Sequence, residues 1–339
     1  MKVYEVGGAI RDALLGKKAK DRDWVVVGSS PDEMISKGFK PIGKDFPVFL
    51  HPASNEEYAL ARTEKKIGHG YHGFNFYFGK EITLEEDLSR RDLTINAIAK
   101  DEDGKLIDPY GGINDIKKNI FRHVSNAFSE DPLRAIRLAR FHTYEHLNKF
   151  SIAEETKELL KIIVESQEIK NLSPDRIWAE TVRALSSSNP NIYFEVLLRF
   201  KLHLPYFEAL NVPVCNSSSL NEVKWSELQI NNKFLLGDLL PVPNSYKNAA
   251  HVLEILLKIN NNQNRDYLII TLPKINLERN EELIKKLLIL PQLKNSKDLI
   301  LKLLLNTNKK DFSVLSKIPK EKIGEEKLKL YIQIIDDCL

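Results

Sequence analysis

The stretch DRDWVVVG at residues 21–28 places two aspartates one residue apart, beside an apolar run. Side chains in a strand alternate faces with period two, so Asp21 and Asp23 point the same way. Their Cα atoms lie roughly 6.5 Å apart, twice the ~3.3 Å rise per residue. Like charges at that spacing repel unless a cation or a proton sits between them. The tryptophan and valines that follow read as a buried strand, which would hold the two carboxylates at fixed spacing. Two readings are open. One is a solvated strand start with Lys20 and Arg22 as counterions; the other is a cation site.

The flanking sequence bears on that choice. Residues 2–6, KVYEV, read as a strand, and GGAIRDALLG at 7–16 reads as a glycine pair opening a helix. Gly7 and Gly8 let a ligand approach the backbone closely and leave helix N-terminal N–H groups free for phosphate. Arg11 suits a phosphate, or an ion pair with Asp12 or Asp21. The order strand, Gly-Gly, helix, Asp-x-Asp strand sets a phosphate cradle beside a carboxylate pair, as nucleotidyl transfer requires. Magnesium takes few carboxylates and keeps waters, so Asp21 and Asp23 with nucleotide oxygens form a reasonable Mg²⁺ ligand set. A two-metal site of this kind activates a 3′-hydroxyl and neutralises the leaving pyrophosphate. A third carboxylate belongs on a neighbouring strand. In EEYALAR (56–62) that is Glu57, with Glu56 on the opposite face; a solvated strand edge is the alternative for Glu57.

Up to about residue 110 the pattern alternates. Strands are predicted at 2–6, 23–27, 46–50, 56–62 and 74–78, and helices at 8–15, 31–37 and 84–99, giving a small mixed sheet with helices. After about residue 125 strand signals fade, and 130–145, 151–166, 173–187 and 190–201 read as helices. LSPD at 172–175 is a helix start, with Ser173 as N-cap and Pro174 in the first turn. Beyond 210, EELIKKLLIL and KDLILKLLL suit amphipathic helices with lysines on the wet face. Boundaries are expected near 125–145 and 205–220.

The chain has 339 residues, 42% apolar and 29% charged, and expects a real core. Its apolar runs are short and lysine-broken, and MKVYEVGGAI lacks a signal peptide's features, so a cytoplasmic protein with no membrane partner is expected. Two distant cysteines exclude a disulfide scaffold and a Cys-rich zinc site. Net charge is +3, with 20 basic against 16 acidic residues in 201–339, which permits nucleic-acid binding without demonstrating it.

EDPLRAIRLAR (130–140) should be a mostly buried helix with Pro132 near its start. Arg134, Arg137 and Arg140 form a slanted stripe on it, and buried arginines need anions or other acceptors. An internal network with Glu130, Asp131 and other acids is one reading. The other gives triphosphate to Arg137 and Arg140, and a base edge to Arg134 with Asp131. Aspartate accepts from an exocyclic amino group and arginine donates to the adjacent ring nitrogen. Cytosine and adenine fit that pair; uracil and guanine leave buried groups unpaired and are rejected.

GGAIRDALLG with KDRDWVVVG resembles the catalytic signature of the class II tRNA nucleotidyltransferases, the CCA-adding enzymes and their poly(A) polymerase relatives. RRDLTINA (90–97), DPYGGIND (108–115), EDPLR (130–134) and LSPDRIWAE (172–180) resemble the family's later motifs, in its order, over about residues 1–200. The form is closest to the γ-proteobacterial one. The resemblance implies an α+β fold. A polymerase-β-like nucleotidyltransferase head at 1–125 precedes a helical neck at 126–210 and a helical body and tail at 211–339 that binds tRNA. It implies sugar and phosphate contacts from RRDLTINA, with Arg91 the phosphate ligand and Asp92 and Asn96 on one helical face; cap or hinge bonds are the alternative for that pair. It also implies a hinge in DPYGGIND, base selection by EDPLR and a neck brace in LSPDRIWAE. The glycine-rich stretch RTEKKIGHGYHG (62–73) is similar to the loop implicated in switching from C to A; an ordinary mobile hairpin is the alternative. His69 and His72 within it suggest no metal site. No His-Asp dipeptide occurs, so the family's C-terminal phosphohydrolase domain is not expected.

The expected activity is Mg²⁺-dependent, template-independent addition of CCA to tRNA 3′ ends from CTP and ATP. Rivals are CC-only or A-only addition, poly(A) synthesis, and a catalytically inactive RNA-binding module on the same fold. The lack of a basic N-terminal extension weighs against poly(A) synthesis.

Overall fold

The computed structural model describes residues 1–18, 22–42, 48–66, 74–215, 218 and 220–339. Eleven strands are described: β1 (Lys2–Val6), β2 (Asp23–Val27), β3 (Lys40–Ile42), β4 (Val48–Leu50), β5 (Glu57–Leu60), β6 (Arg62–Lys66), β7 (Phe74–Phe78), β8 (Ala99–Lys100), β9 (Leu106–Ile107), β10 (Ile120–Phe121) and β11 (Ser151–Ile152). The first helices are α1 (Gly8–Leu14), α2 (Pro31–Ser36), α3 (Leu84–Ser89), α4 (Gly112–Lys118), α5 (Leu133–Phe141) and α6 (Glu154–Glu165). Then come α7 (Pro174–Leu185), α8 (Asn191–Arg199), α9 (Asn221–Asn231), α10 (Asn244–Asn261), α11 (Arg265–Thr271), α12 (Leu277–Leu287), α13 (Lys297–Thr307) and α14 (Lys320–Asp336). None of the described helices is long and apolar enough to cross a membrane. The fold class is the expected one, a head built on a mixed sheet followed by helices.

The chain divides into two compact units, residues 1–181 with 195–205, and residues 182–194 with 206–339. In the first, seven strands form one mixed sheet in the order β3-β4-β5-β2-β1-β8-β9. β2 runs antiparallel to β1 and parallel to β5. Period-two alternation gives β2 two apolar faces, which is why DWVVV carries no polar residue after Asp23. Val26 packs with Met34 of α2, Phe39, Phe49, Tyr58 and Leu60 on one face. Val25 packs with Val6, Ala61, Leu88, Ala97 and Ala99 on the other. Asp23 belongs to this second face, at the end of the strand that meets solvent.

β1 and β2 fall where the sequence predicts, and α1 and α2 close to it. The predicted helix 84–99 does not form as one element. α3 starts on a Thr83–Glu86 capping box and ends at Ser89; a 3₁₀ turn at Thr94–Asn96 and β8 follow. The cause is tertiary pairing. Leu93 makes a β-bridge with His123, and the Thr94 N–H donates to the Arg122 carbonyl at 2.9 Å, so this backbone is spent on a neighbour and not on a helix. The predicted helix at 151–166 likewise starts later. Ser151–Ile152 pairs parallel with β10, and α6 begins at Glu154. Phe46 and Pro47 of the predicted strand 46–50 lie outside the described residues; Val48–Leu50 is strand.

The second unit is helical. Its core gathers Val252, Leu253, Leu256 and Ile259 of α10 with Ile284 and Leu287 of α12, Leu303 of α13 and Ile334 of α14. Tyr331 of α14 is fully buried there; its hydroxyl accepts from the Leu277 N–H at 2.9 Å and donates to Glu278 at 2.6 Å.

Candidate active site

The Gly-Gly turn, the start of β2 and the segment after α3 converge on one point. Gly7 has φ 81° and ψ −137°, a backbone that a side chain would strain. A Cβ there would stand 3.1 Å from an Arg91 guanidinium nitrogen, 3.8 Å from the Asn96 carbonyl oxygen and 4.0 Å from Asp23 Oδ2. Glycine therefore keeps open the space that Arg91 and Asp23 border. At Gly8 a Cβ would stand 3.4 Å from the Arg11 guanidinium.

Asp23 and Glu57 are register partners of the parallel β2–β5 pair, so their side chains leave the sheet on one face. Both are exposed, and neither has an ion-pair or hydrogen-bond partner among the described residues. Glu56 faces the other way and accepts from the Trp24 indole N–H at 3.2 Å. Asp21 lies outside the described residues. So do residues 67–73 of the glycine-rich stretch, with His69 and His72. No group of three His, Cys, Asp or Glu among the described residues is placed to hold a metal. The two described carboxylates are hard oxygen donors, a set that fits Mg²⁺, which binds through one or two carboxylates and keeps its waters.

Arg91 is held from one side. Its Nη2 donates to Asp87 Oδ2 at 3.2 Å, while its buried Nε has no hydrogen-bond partner among the described residues. Asp87 is fully buried and also accepts from Arg90 at 2.6 Å and 3.0 Å. Burial pushes its pKa up, and the Arg90 and Arg91 guanidiniums more than reverse that, leaving a carboxylate. Sequence reasoning missed Asp87. Its signal was present: Arg90 and Arg91 follow it at i+3 and i+4, the spacing of a helical ion pair.

Asp92 and Asn96 are both buried and touch, although no α-helix joins them. Asn96 Nδ2 donates to Asp92 Oδ1 at 2.9 Å and its Oδ1 accepts from Arg11 Nη1 at 2.7 Å. Arg11 is itself buried, and its Nε donates to Asp12 at 2.8 Å. Asp92 Oδ2 accepts from Arg137 Nε at 2.9 Å and Nη2 at 2.8 Å. Burial alone would raise the Asp92 pKa; Arg137 and the Asn96 amide override it and hold the group far below the usual carboxylate range.

The arginine stripe lies on α5 and has protein acceptors. Arg140 is buried and donates to Glu180 of α7 and to the Tyr144 hydroxyl. Arg134 donates to the Ala127 carbonyl at 2.8 Å. Asp131 accepts from Arg176 of α7 at 2.7 Å. The internal network considered from sequence therefore exists, but its acids are Asp92 and Glu180. Arg137 keeps a side chain 34% exposed. Arg176 and Glu180 were legible in principle, since LSPDRIWAE carries them four apart on one helical face.

DPYGGIND braces this site. Asp108 accepts from the N–H groups of Gly112 and Ile113 at 2.7 Å and 2.9 Å, closing the start of α4. Asp115 accepts from Thr94 Oγ1 at 2.7 Å. A Cβ on Gly112 would stand 2.2 Å from the Thr94 carbonyl oxygen, so only glycine lets α4 approach the 94–96 turn.

Residues 3–122 match the family described as the poly A polymerase head domain. Residues 149–212 match the probable RNA and SrmB-binding site of polymerase A. The chain belongs to the poly(A) polymerase family. It is accordingly a nucleotidyltransferase, and the seven-stranded sheet with its Gly-Gly turn lies in the poly(A) polymerase head. Solved CCA-adding enzymes share the fold of this polymerase-family chain. A CCA-adding enzyme in complex with ATP is 23% identical with a TM-score of 0.68, over 99% of this chain and 87% of that one. The Bacillus stearothermophilus CCA-adding enzyme in complex with CTP is 22% identical with a TM-score of 0.63, over 98% and 78%. The Thermotoga maritima CCA-adding enzyme complexed with tRNA is 20% identical with a TM-score of 0.62, over 99% and 90%.

Proposed function

We propose that this chain adds CCA to the 3′ end of tRNA, using CTP and ATP and releasing pyrophosphate. One observation carries the reading: Asp23 and Glu57 stand in register on one face of the sheet, without an ion-pair partner among the described residues, and Asp23 lies beside the open space at Gly7 that Arg91 also borders. Carboxylates next to a cationic group suit a nucleotide whose phosphates carry a divalent ion.

Asp21 and Asp23 would hold Mg²⁺, with Glu57 as the third carboxylate. When bound, the metal would favour the 3′-hydroxyl as nucleophile and offset charge on the pyrophosphate. Gly7 and Gly8 leave room for the phosphates, and Arg91 offers a guanidinium nitrogen facing Gly7. Asp92 and Asn96 orient Arg11 and Arg137, and through them the sugar side of the pocket. Arg137 offers its exposed flank to the triphosphate, and Arg140 supports it through Glu180. Asp131 and Arg134 read the amino group and ring nitrogen shared by C and A, with Arg176 holding Asp131 in place. The head at 1–125 and neck at 126–210 act on the nucleotide, and 211–339 grips tRNA.

The test offers a tRNA ending at its discriminator base, first with each nucleoside triphosphate singly and then with CTP plus ATP. Two added nucleotides with CTP and three with both are expected. Long adenylate tails with ATP alone would move the chain to poly(A) synthesis, and binding of tRNA without incorporation would leave only the RNA-binding module.

A further inference from the structure

Three guanidiniums surround one aromatic ring in the first unit. The Cζ atoms of Arg11, Arg137 and Arg140 lie 5.4 Å, 5.3 Å and 4.3 Å from the centroid of the buried Phe141 ring. Arg11 comes from α1, and the other two precede Phe141 on its own helix.

An almost closed circuit of polar contacts runs around the same ring. Asp12 joins Arg11, Arg11 joins Asn96, Asn96 joins Asp92 and Asp92 joins Arg137. Arg137 approaches Glu180 at 3.9 Å, and Glu180 accepts from Arg140, which reaches Tyr144. Tyr144 stacks on His146 at 5.9 Å, and His146 Nε2 lies 3.0 Å from Asp12. The carboxylates thus bond all three guanidiniums through their Nε edges, while the Phe141 ring lies within 5.4 Å of each Cζ.

Three cations gathered in a poorly solvated space repel one another, and an apolar filler would only add to their desolvation. An aromatic face carries partial negative charge and attracts each of them. We propose that Phe141 is a positioning residue for nucleotide binding. Its ring holds Arg11 and Arg137 in one arc. Arg11 in turn backs the Gly7–Gly8 turn and Asn96, and Arg137 anchors Asp92. The turn and the 91–96 segment are thereby fixed against α5 before a nucleotide arrives. The nucleotide half of this proposal rests on the function proposed above.

The full-length protein with Phe141 replaced by mono-, di- and trifluorophenylalanine separates charge attraction from packing. Fluorination drains the ring face with little change of shape. Two quantities are followed: solvent exchange of the arginine Nε–H groups by NMR, and KM and kcat for CTP and ATP incorporation into tRNA. Graded acceleration of exchange at Arg11 and Arg137 is expected, with KM for both nucleotides rising about three- to tenfold across the series and kcat within about twofold. Phe141→Leu should resemble the trifluoro variant in KM, with its melting temperature recorded to account for packing. Exchange rates indifferent to fluorination overturn the proposal, whatever the protein does with nucleotides. Graded exchange with unchanged KM overturns it equally. Graded exchange in a protein that incorporates neither nucleotide retires the functional reading instead.

Discussion

Asp23 and Glu57 face each other across two parallel strands, in register, with no ion-pair partner for either among the described residues. Exposed like charges at such a position contribute nothing to folding and destabilise slightly. Asp23→Ala should therefore leave the melting temperature unchanged or raise it, while incorporation of labelled CTP falls by roughly a thousandfold. Glu57→Gln should be as stable and lose about ten- to a hundredfold, with a higher Mg²⁺ requirement. A variant of Asp23 with parental activity would remove this carboxylate from the chemistry.

Asp92 and Arg137 form a pair whose loss reads out in stability. Its folded pKa is depressed. The stabilisation is therefore fully present above the unfolded carboxylate pKa and is lost as pH falls through the folded one. Asp92→Asn should cost about 2 to 4 kcal/mol at pH 7, toward the lower end because Arg137 keeps some solvent. Urea denaturation should show the gap between parent and variant constant from pH 7 to about 5 and narrowing below about 4.

Gly112 sets the approach of α4 to the Thr94–Asn96 turn. Gly112→Ala forces a Cβ to within 2.2 Å of a backbone oxygen, so something must shift. A loss of about 2 to 3 kcal/mol is expected, seen as a melting temperature lower by about 4 to 12 °C. Gly104→Ala meets nothing within 4 Å and pays only for its φ of 82°, so its effect should be near 1 kcal/mol.

Arg176 tests the base-reading role of Asp131. In Arg176→Met the Asp131 carboxylate loses its partner at 2.7 Å and gains freedom. Single-turnover assays should show weaker use of CTP and ATP alike, together with a fall of roughly tenfold or more in discrimination against UTP. Equal losses for all four nucleotides would make the Asp131–Arg176 pair a brace alone.

Local signals carried much of this architecture. The apolar runs of β1 and β2 and the glycine pair before α1 are nearest-neighbour patterns, and they appear in the structure as read. The helix predicted at 84–99 failed because Leu93 and Thr94 bond with residues about 30 positions ahead, which no local pattern reveals. The same holds inside the site. Arg137 and Asp92 are 45 residues apart, and Arg140 and Glu180 are 40 apart. The sequence shows that the arginines need acceptors, while only the fold says which acids serve. Asp87 is the exception, a local pair overlooked beside the more prominent RRD.

The chain path through α7 and α8 governs how this protein can be dissected. A recombinant fragment ending at Thr181 omits residues 195–205, which complete the first unit. A fragment ending at Pro205 restores them but also carries 182–194, where Tyr193 and Phe194 are wholly buried and Phe194 packs edge-on against Phe207. That longer fragment would strip Phe194 of its Phe207 contact and should self-associate unless Phe194 is replaced by a polar residue.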